Sequence, residues 1–261
     1  MNVLQNLVEL YDQLPPGSTY KEVARGILGH LEEVADSTIY EVAELTNSSR
    51  TTVWRMVQKM GYENFSDFHH ALKQAMGHYS YYNRIQKPEL CTDENRIVSA
   101  FLHQTKNARS LMEKHFTAES LLVMADKIHE ADKVAFYFPY HTFSIASFQQ
   151  NLSVTGKETD YVCLIPDMKE SSSHLTRQSI VFIETIDHAE SMDAMDVFIT
   201  AKAAGAHIIK VSQTRTSYDP YTDEYLLSFD TNDVTTNLIL ITTYFLMLSE
   251  IYRAKYIDHT I

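Results

Sequence analysis

From residue 133 to residue 211 the chain switches repeatedly between two periods, and few folds accept that pattern. Residues 133–138, 160–164, 179–183 and 207–211 are short apolar runs rich in β-branched and aromatic side chains. They lack the alternation of a strand that faces water on one side. Helical stretches lie between them at 143–152, 171–178 and 191–204, and a fifth run at 225–229 precedes a long apolar helix over 234–256. Strands covered on both faces and joined through helices read as parallel. The expectation is an α/β domain built on a doubly wound five-stranded parallel sheet.

The first third has a different period. Val53, Met56, Val57 and Met60 recur at i, i+3, i+4 and i+7, one apolar stripe on a short helix over 49–60. Ser48 or Ser49 can cap its start, and Gly61 tolerates a left-handed stop. Ile39, Val42, Ala43 and Leu45 give a second short helix over 38–45, and only Thr46, Asn47 and Ser48 separate the two. Two short helices across a three-residue turn have helix-turn-helix spacing. The outward side of the second helix carries Thr51, Arg55 and Gln58, with Trp54 and Lys59 on its flanks and Arg50 near its start. It bears no carboxylate, in a chain of net charge −12. Arg50, Thr51, Arg55 and Gln58 suit base edges of double-stranded operator DNA, and Ser49, Thr52 and Lys59 suit its phosphates. The opposing observation is charge: residues 1–77 hold 6 basic and 10 acidic residues, so only the local placement of the cations favours DNA.

The remaining elements complete a helical bundle. Residues 3–14 read as a helix ended by Pro15, Pro16 and Gly17, and Ser18 can cap a second with Val23, Ile27, Leu28 and Leu31 running to about Val34. Phe65, Phe68, Leu72 and Ala75 mark a helix ending near Gly77. The expected organisation is a helix-turn-helix domain over 1–77, a linker with three tyrosines over 78–90, and the α/β domain over 91–261, opened by helices over 92–114 and 117–129. Cys91 and Cys163 form neither a disulfide framework nor a zinc pattern, and His69, His70 and His78 do not share a direction. Neither a metal nor a cofactor is expected. The chain starts without a basic leader, and no window is read as spanning a bilayer, so the expected location is the cytoplasm.

These residues carry a resemblance. Val42-Ala43-Glu44, the run Ser49 to Arg55, Lys59 to Tyr62 and Phe65 to Phe68 resemble the helix-turn-helix of the MurR/RpiR family of bacterial transcriptional regulators. That family joins this domain to a sugar isomerase (SIS) domain, and residues 196–209, with Ser217 and Pro220 after them, are similar to the corresponding SIS helix, strand and loop. The resemblance implies a regulator of carbohydrate metabolism that senses a small molecule, acts as a homodimer or higher homo-oligomer, and is not an enzyme.

In a doubly wound sheet the ligand lies beyond the carboxyl ends of the strands at the switch point, so the loops after the first and third strands matter most. SIS domains carry Gly-x-Gly-x-Ser in the first of these; here the positions read Phe138-Pro139-Tyr140-His141-Thr142. The second reads Glu184-Thr185-Ile186-Asp187-His188-Ala189, again without glycine, and Glu184, Asp187 and Glu190 would repel a phosphate dianion. Three readings stay open. The pocket takes a cationic or neutral replacement ligand through Tyr140, His141, Thr142, Glu184 and His188; or it has decayed and the domain only dimerises; or a sugar phosphate still binds through Thr142, Thr185 and a Ser171–Ser173 cluster at a helix N-terminus. A sugar-phosphate isomerase using Glu184, His141 and His188, and a dimeric sensor or scaffold that does not bind DNA, are the competing function classes.

Overall fold

The computed structural model describes residues 3–77, 86, 88–163, 165–185, 194–211, 216–227, 231 and 233–261. The chain divides into two compact units, Met1–Arg84 and Ile85–Ile261.

The first unit is all helical: α1 (Val3–Gln13), α2 (Thr19–Gly29), α3 (Leu31–Val34), α4 (Ile39–Leu45), α5 (Arg50–Lys59) and α6 (Phe65–Gly77). The stripe on α5 faces inward, with Val53, Met56 and Val57 at 0% exposure against Val23, Ile27, Val42 and Phe68. The single helix expected over 18–34 is two. It breaks after Gly29, a weak helix former, where His30 leaves the helical region at φ −137° and ψ 36°. Ser18 occupies the cap position of α2, but its side chain makes no capping hydrogen bond.

The second unit opens with a 3₁₀ turn at Pro88–Leu90, then α7 (Glu94–His115) and α8 (Ala118–Glu130). There follow β1 (Lys133–Tyr137), α9 (Phe143–Val154), β2 (Glu158–Val162), α10 (Ile165–Ser173), β3 (Ser179–Glu184), α11 (Met195–Ala204), β4 (His207–Val211), β5 (Glu224–Leu226) and α12 (Val234–Tyr256). The five strands are all parallel, in the order β2-β1-β3-β4-β5. The mostly apolar sequences of β1, β3 and β4 follow from cover on both faces, whereas β2 and β5, at the sheet edges, are more polar and more exposed and begin one or two residues before the expected 160–164 and 225–229. Val134, Phe136, Phe182 and Ile209 pack with α8, α9 and α12, while Ala135, Val181, Ile183 and Ile208 pack with α10 and α11. Gln86, placed in the linker by sequence, is buried in this unit and bonds Gln104 of α7 and Thr235 of α12. The linker tyrosines Tyr79, Tyr81 and Tyr82 lie outside the described residues.

Further expectations change. The helix expected over 171–178 runs instead over Ile165–Ser173, so the three serines end a helix rather than begin one. Helix α12 is long and apolar enough to cross a bilayer by length and composition, its most apolar window having a mean hydropathy of 1.4, contrary to the expectation that no window would be. It is the core helix of this unit. Half of that window is buried, and Leu240, Phe245 and Leu248 are at 0% exposure against the sheet's aromatic cluster.

An ion-paired cluster ties β5 at the sheet edge to α8 and β4. Glu224 accepts from Lys127 at 2.7 Å and lies 3.2 Å from His207 Nε2. The hydrogen bond from His207 and, against the cost of burial, that from Lys127 hold its carboxyl down at about 2, from an ordinary 4.5. A depressed carboxyl stabilises the folded chain above its unfolded value, and that contribution is lost as pH falls toward the folded one. The advantage in Tm of the native chain over Glu224→Gln should therefore be full at neutral pH and shrink as pH falls from 4.5 toward 2, measured by thermal melts across that range.

Candidate nucleic-acid interface and effector crevice

The two helices of the turn motif are built by local capping. Thr38 and Glu41 cap α4 reciprocally: Glu41 Oε2 accepts from the Thr38 backbone N–H at 2.6 Å, and Thr38 Oγ1 accepts from that of Glu41. Ser49, not Ser48, caps α5, accepting from the Thr52 N–H at 3.1 Å. In the turn between them Thr46 is buried, its hydroxyl donating to Val42 O at 2.7 Å and bonding Ser48 Oγ at 2.9 Å. Asn47 adopts a left-handed φ of 48°, which asparagine tolerates, and Gly61 closes α5 at φ 85°.

This frame presents one face of α5 to solvent. Ser49, Arg50, Thr51, Trp54, Arg55, Gln58 and Lys59 are all exposed, and Thr52 is half-buried. Ser49 and Thr52, expected at phosphates, are also bonded to each other at 2.8 Å. Among the described residues no carboxylate pairs with Arg50, Arg55 or Lys59, whereas Arg25, Lys73, Arg109, Lys169 and Lys202 each hold one. The end cations of the helix lie instead over aromatic rings. The Arg50 guanidinium sits 4.3 Å from the Tyr40 centroid, and Lys59 Nζ 5.3 Å from that of Tyr20. The sequence reading missed both tyrosines; the available signal was Tyr40's place inside the Thr38-x-x-Glu41 capping box, on the water side of α4.

A family model described as a helix-turn-helix domain of the rpiR family matches residues 1–78. The matched residues fall within the N-terminal unit, which is similar to that domain. No curated protein matches the chain. Among solved structures, Vibrio vulnificus NanR complexed with ManNAc-6P is 18% identical, with 99% of this chain and 94% of that one covered at a TM-score of 0.49. The sugar isomerase domain of an RpiR transcription factor from Sphaerobacter thermophilus is 12% identical over 62% of this chain and 92% of its own, at 0.47. A hypothetical protein of Methanococcus jannaschii, for which a 3-hexulose-6-phosphate isomerase function is inferred, is 13% identical over 59% and 89%, at 0.46.

In the second unit the strand order reverses at β1, which pairs with β2 on one side and β3 on the other, so the crevice opens beyond Tyr137 and Glu184. The loop after β1 is held by one phenol. Tyr161 OH donates to Tyr140 O at 2.9 Å and accepts from the Thr142 N–H at 2.8 Å. Thr142 then caps α9 through Ile145 N–H at 3.4 Å, and exposed His141 packs edge-on against Tyr161 at 4.5 Å. Tyr140 and Glu184 are brought together. Burial first, then the Glu184 carboxylate and Tyr161, push the Tyr140 phenol well above its ordinary value. Glu184 is 1% exposed. Thr185 is buried as well; its N–H donates to Val211 O at 3.0 Å, and its hydroxyl has no hydrogen-bond partner among the described residues. His188, Asp187 and Glu190 lie outside the described residues.

The serine cluster does not join this crevice as an anion site. Ser171 accepts from Tyr137 OH at 2.8 Å and donates to Asp160, while Ser172 and Ser173 donate to the carbonyls of Lys169 and Glu170. All three sit at the negative end of α10, where a phosphate is disfavoured.

The tightest contact supporting the turn motif is Gly26 of α2. A Cβ there would lie 2.8 Å from Thr46 Cγ2 and 3.3 Å from its backbone Cα, whereas one at Gly29 would meet nothing within 4 Å. Gly26→Ala should cost the helix-turn-helix domain about 1–3 kcal/mol, and Gly29→Ala should cost nothing. Denaturant unfolding followed by the fluorescence of Trp54, the single tryptophan, reads both.

Proposed function

We propose that the chain is a DNA-binding transcriptional regulator, reading operator DNA through α5 as a symmetric dimer or higher oligomer, with the second unit as its effector and dimerisation domain. The observation that carries this is the charge distribution on α5. In a chain of net charge −12, its exposed Arg50, Arg55 and Lys59 have no carboxylate partner among the described residues and stand beside Thr51 and Gln58, which is the chemistry of a surface that meets phosphates and base edges.

One short helix buries too little surface for specific binding, and two copies about one helical turn apart supply the rest. An exposed apolar stripe on α7, with Val98 at 58%, Phe101 at 37% and Leu102 at 67% exposure, supports association of copies of this chain. Helix α12 turns most of its apolar side chains into its own core and offers only Leu246 and Met247 as large exposed ones. Tyr140, His141, Thr142, Glu184, Thr185 and His188 are the residues we assign to a small-molecule effector, of which Tyr140, Glu184 and Thr185 are the more enclosed among those described. The family resemblance directs the regulated genes to carbohydrate metabolism and the protein to the cytoplasm. Sensing is favoured over isomerisation because the acid–base candidates are split by burial, Glu184 being enclosed and His141 open to solvent.

Binding of the full chain to DNA from its own promoter region, against a scrambled duplex across a salt series, tests the reading. A sequence preference that weakens with salt is expected. Arg55→Ala should cost about 1–3 kcal/mol, or roughly 5- to 150-fold in Kd. Undiminished affinity in that variant removes Arg55 from the interface, and no preference by the native chain at low salt overturns the regulator in favour of a dimeric sensor or scaffold.

A further inference from the structure

Arg50 is in an electrostatically awkward place. It is the first residue of α5, where the unsatisfied N–H groups already carry partial positive charge, and the first turn holds no acidic residue to offset it. Its guanidinium is exposed, with no carboxylate partner among the described residues, yet it has a defined neighbour in the ring of Tyr40, 4.3 Å away. Tyr40 belongs to α4, is 60% exposed, and adds nothing to the helical core. Its backbone lies in the first turn of α4, inside the Thr38–Glu41 capping box.

Resting on the DNA-binding reading above, we infer that Tyr40 is a positioning residue for Arg50, and that the stacked pair acts as one element reading DNA at the N-terminal end of α5. Stacking engages the π-face of the guanidinium and leaves its N–H donors free in the plane. That edge matches two coplanar acceptors, either the O6 and N7 of a guanine or two oxygens of one phosphate. The face of Tyr40 also offsets the repulsion between Arg50 and the helix end while no DNA is bound. The long side chain then has less freedom to lose on binding. Lys59, at the other end of α5, needs no such help, since a cation is favoured at a helix C-terminus.

The test is a mutant cycle on the full chain with its own promoter DNA, followed by fluorescence anisotropy. Tyr40→Phe keeps the ring face and should bind within about twofold of the native chain, while Tyr40→Leu should lose about three- to tenfold. In an Arg50→Ala background, Tyr40→Leu should change nothing further. If the pair reads a guanine, its loss relaxes specificity at one base pair; if it grips a phosphate, its loss weakens all sequences alike and lowers the salt slope. Additive losses from the two substitutions overturn the coupling. A readout without DNA separates the failure of this inference from that of the DNA-binding reading. The Arg50 Nε–H resonance should be ring-current shifted in the native chain and in Tyr40→Phe, and unshifted in Tyr40→Leu. An unshifted native resonance alongside intact DNA binding overturns the positioning role alone. A shifted resonance in a chain that binds no duplex overturns the DNA reading, and the recognition role with it.

Discussion

The pairing of β1 with β3 is the constraint on which the second unit depends. Both strands are buried along their whole length, so every backbone N–H and C=O in them needs a ladder partner and every side chain on either face needs an apolar one. The parallel register, Lys133 with Ser179 through Tyr137 with Ile183, meets the first need. The second is met on one face by a stack of rings, with Phe136 and Phe182 parallel at 5.5 Å and Phe245 of α12 edge-on to both. The same pairing fixes where the crevice can be, because the chain leaves β1 toward β2 and later returns on the other side through β3. Tyr140, Thr142, Glu184 and Thr185 are therefore neighbours by topology, however far apart in sequence.

The helical unit solves its problem by different means. Its helices are short, and short helices are marginal without tertiary support. Stability comes from one buried stripe per helix and from caps that the sequence spells out: Thr38 with Glu41, Ser49 with Thr52, Asn64 with Asp67. The close approach of Gly26 to Thr46 sets the turn against α2. Because the inward side of α5 is fully used by Val53, Met56, Val57 and Met60, the composition of its outward side is free to be chosen by what it meets, which is why its cations are informative.

Most of this fold was legible because period and burial are tightly coupled. β4 and α12 fall at the expected residues, and the two helices of the turn motif lie within one residue of expectation, since capping residues and Gly61 mark their limits. The misplaced helix near residue 171 shows where the logic runs out. Three consecutive serines look like a start signal, but the start is at Ile165-Pro166-Asp167, where proline's missing N–H costs nothing in the first turn. The serines act at the other end, bonding back to carbonyls of their own helix. In the crevice, residue type alone made Glu184 and Tyr140 candidates. It could not show that Thr142's backbone N–H is already held by Tyr161, from a strand on the far side of β1. Such contacts depend on tertiary pairing and leave no local pattern.

On the DNA-binding reading proposed above, the acidity of the chain, at first sight an objection, works in favour of selectivity. Charges beyond about 8 Å are largely screened at physiological ionic strength, so the duplex responds chiefly to the groups that touch it. Within the helical unit several acids are already engaged away from α5: Glu22 by Arg25, Asp36 by Lys73, and Glu41 by the α4 cap. What remains on the outward side of α5 is locally basic. A surface with few cations gains little from non-specific phosphate contacts, whose affinity rises with the number of phosphates neutralised. Specific hydrogen bonds then make up a larger share of the binding, and a genome's excess of wrong sites competes less well. On the DNA-binding reading proposed above, a more basic domain would hold DNA more tightly but with less discrimination between sequences.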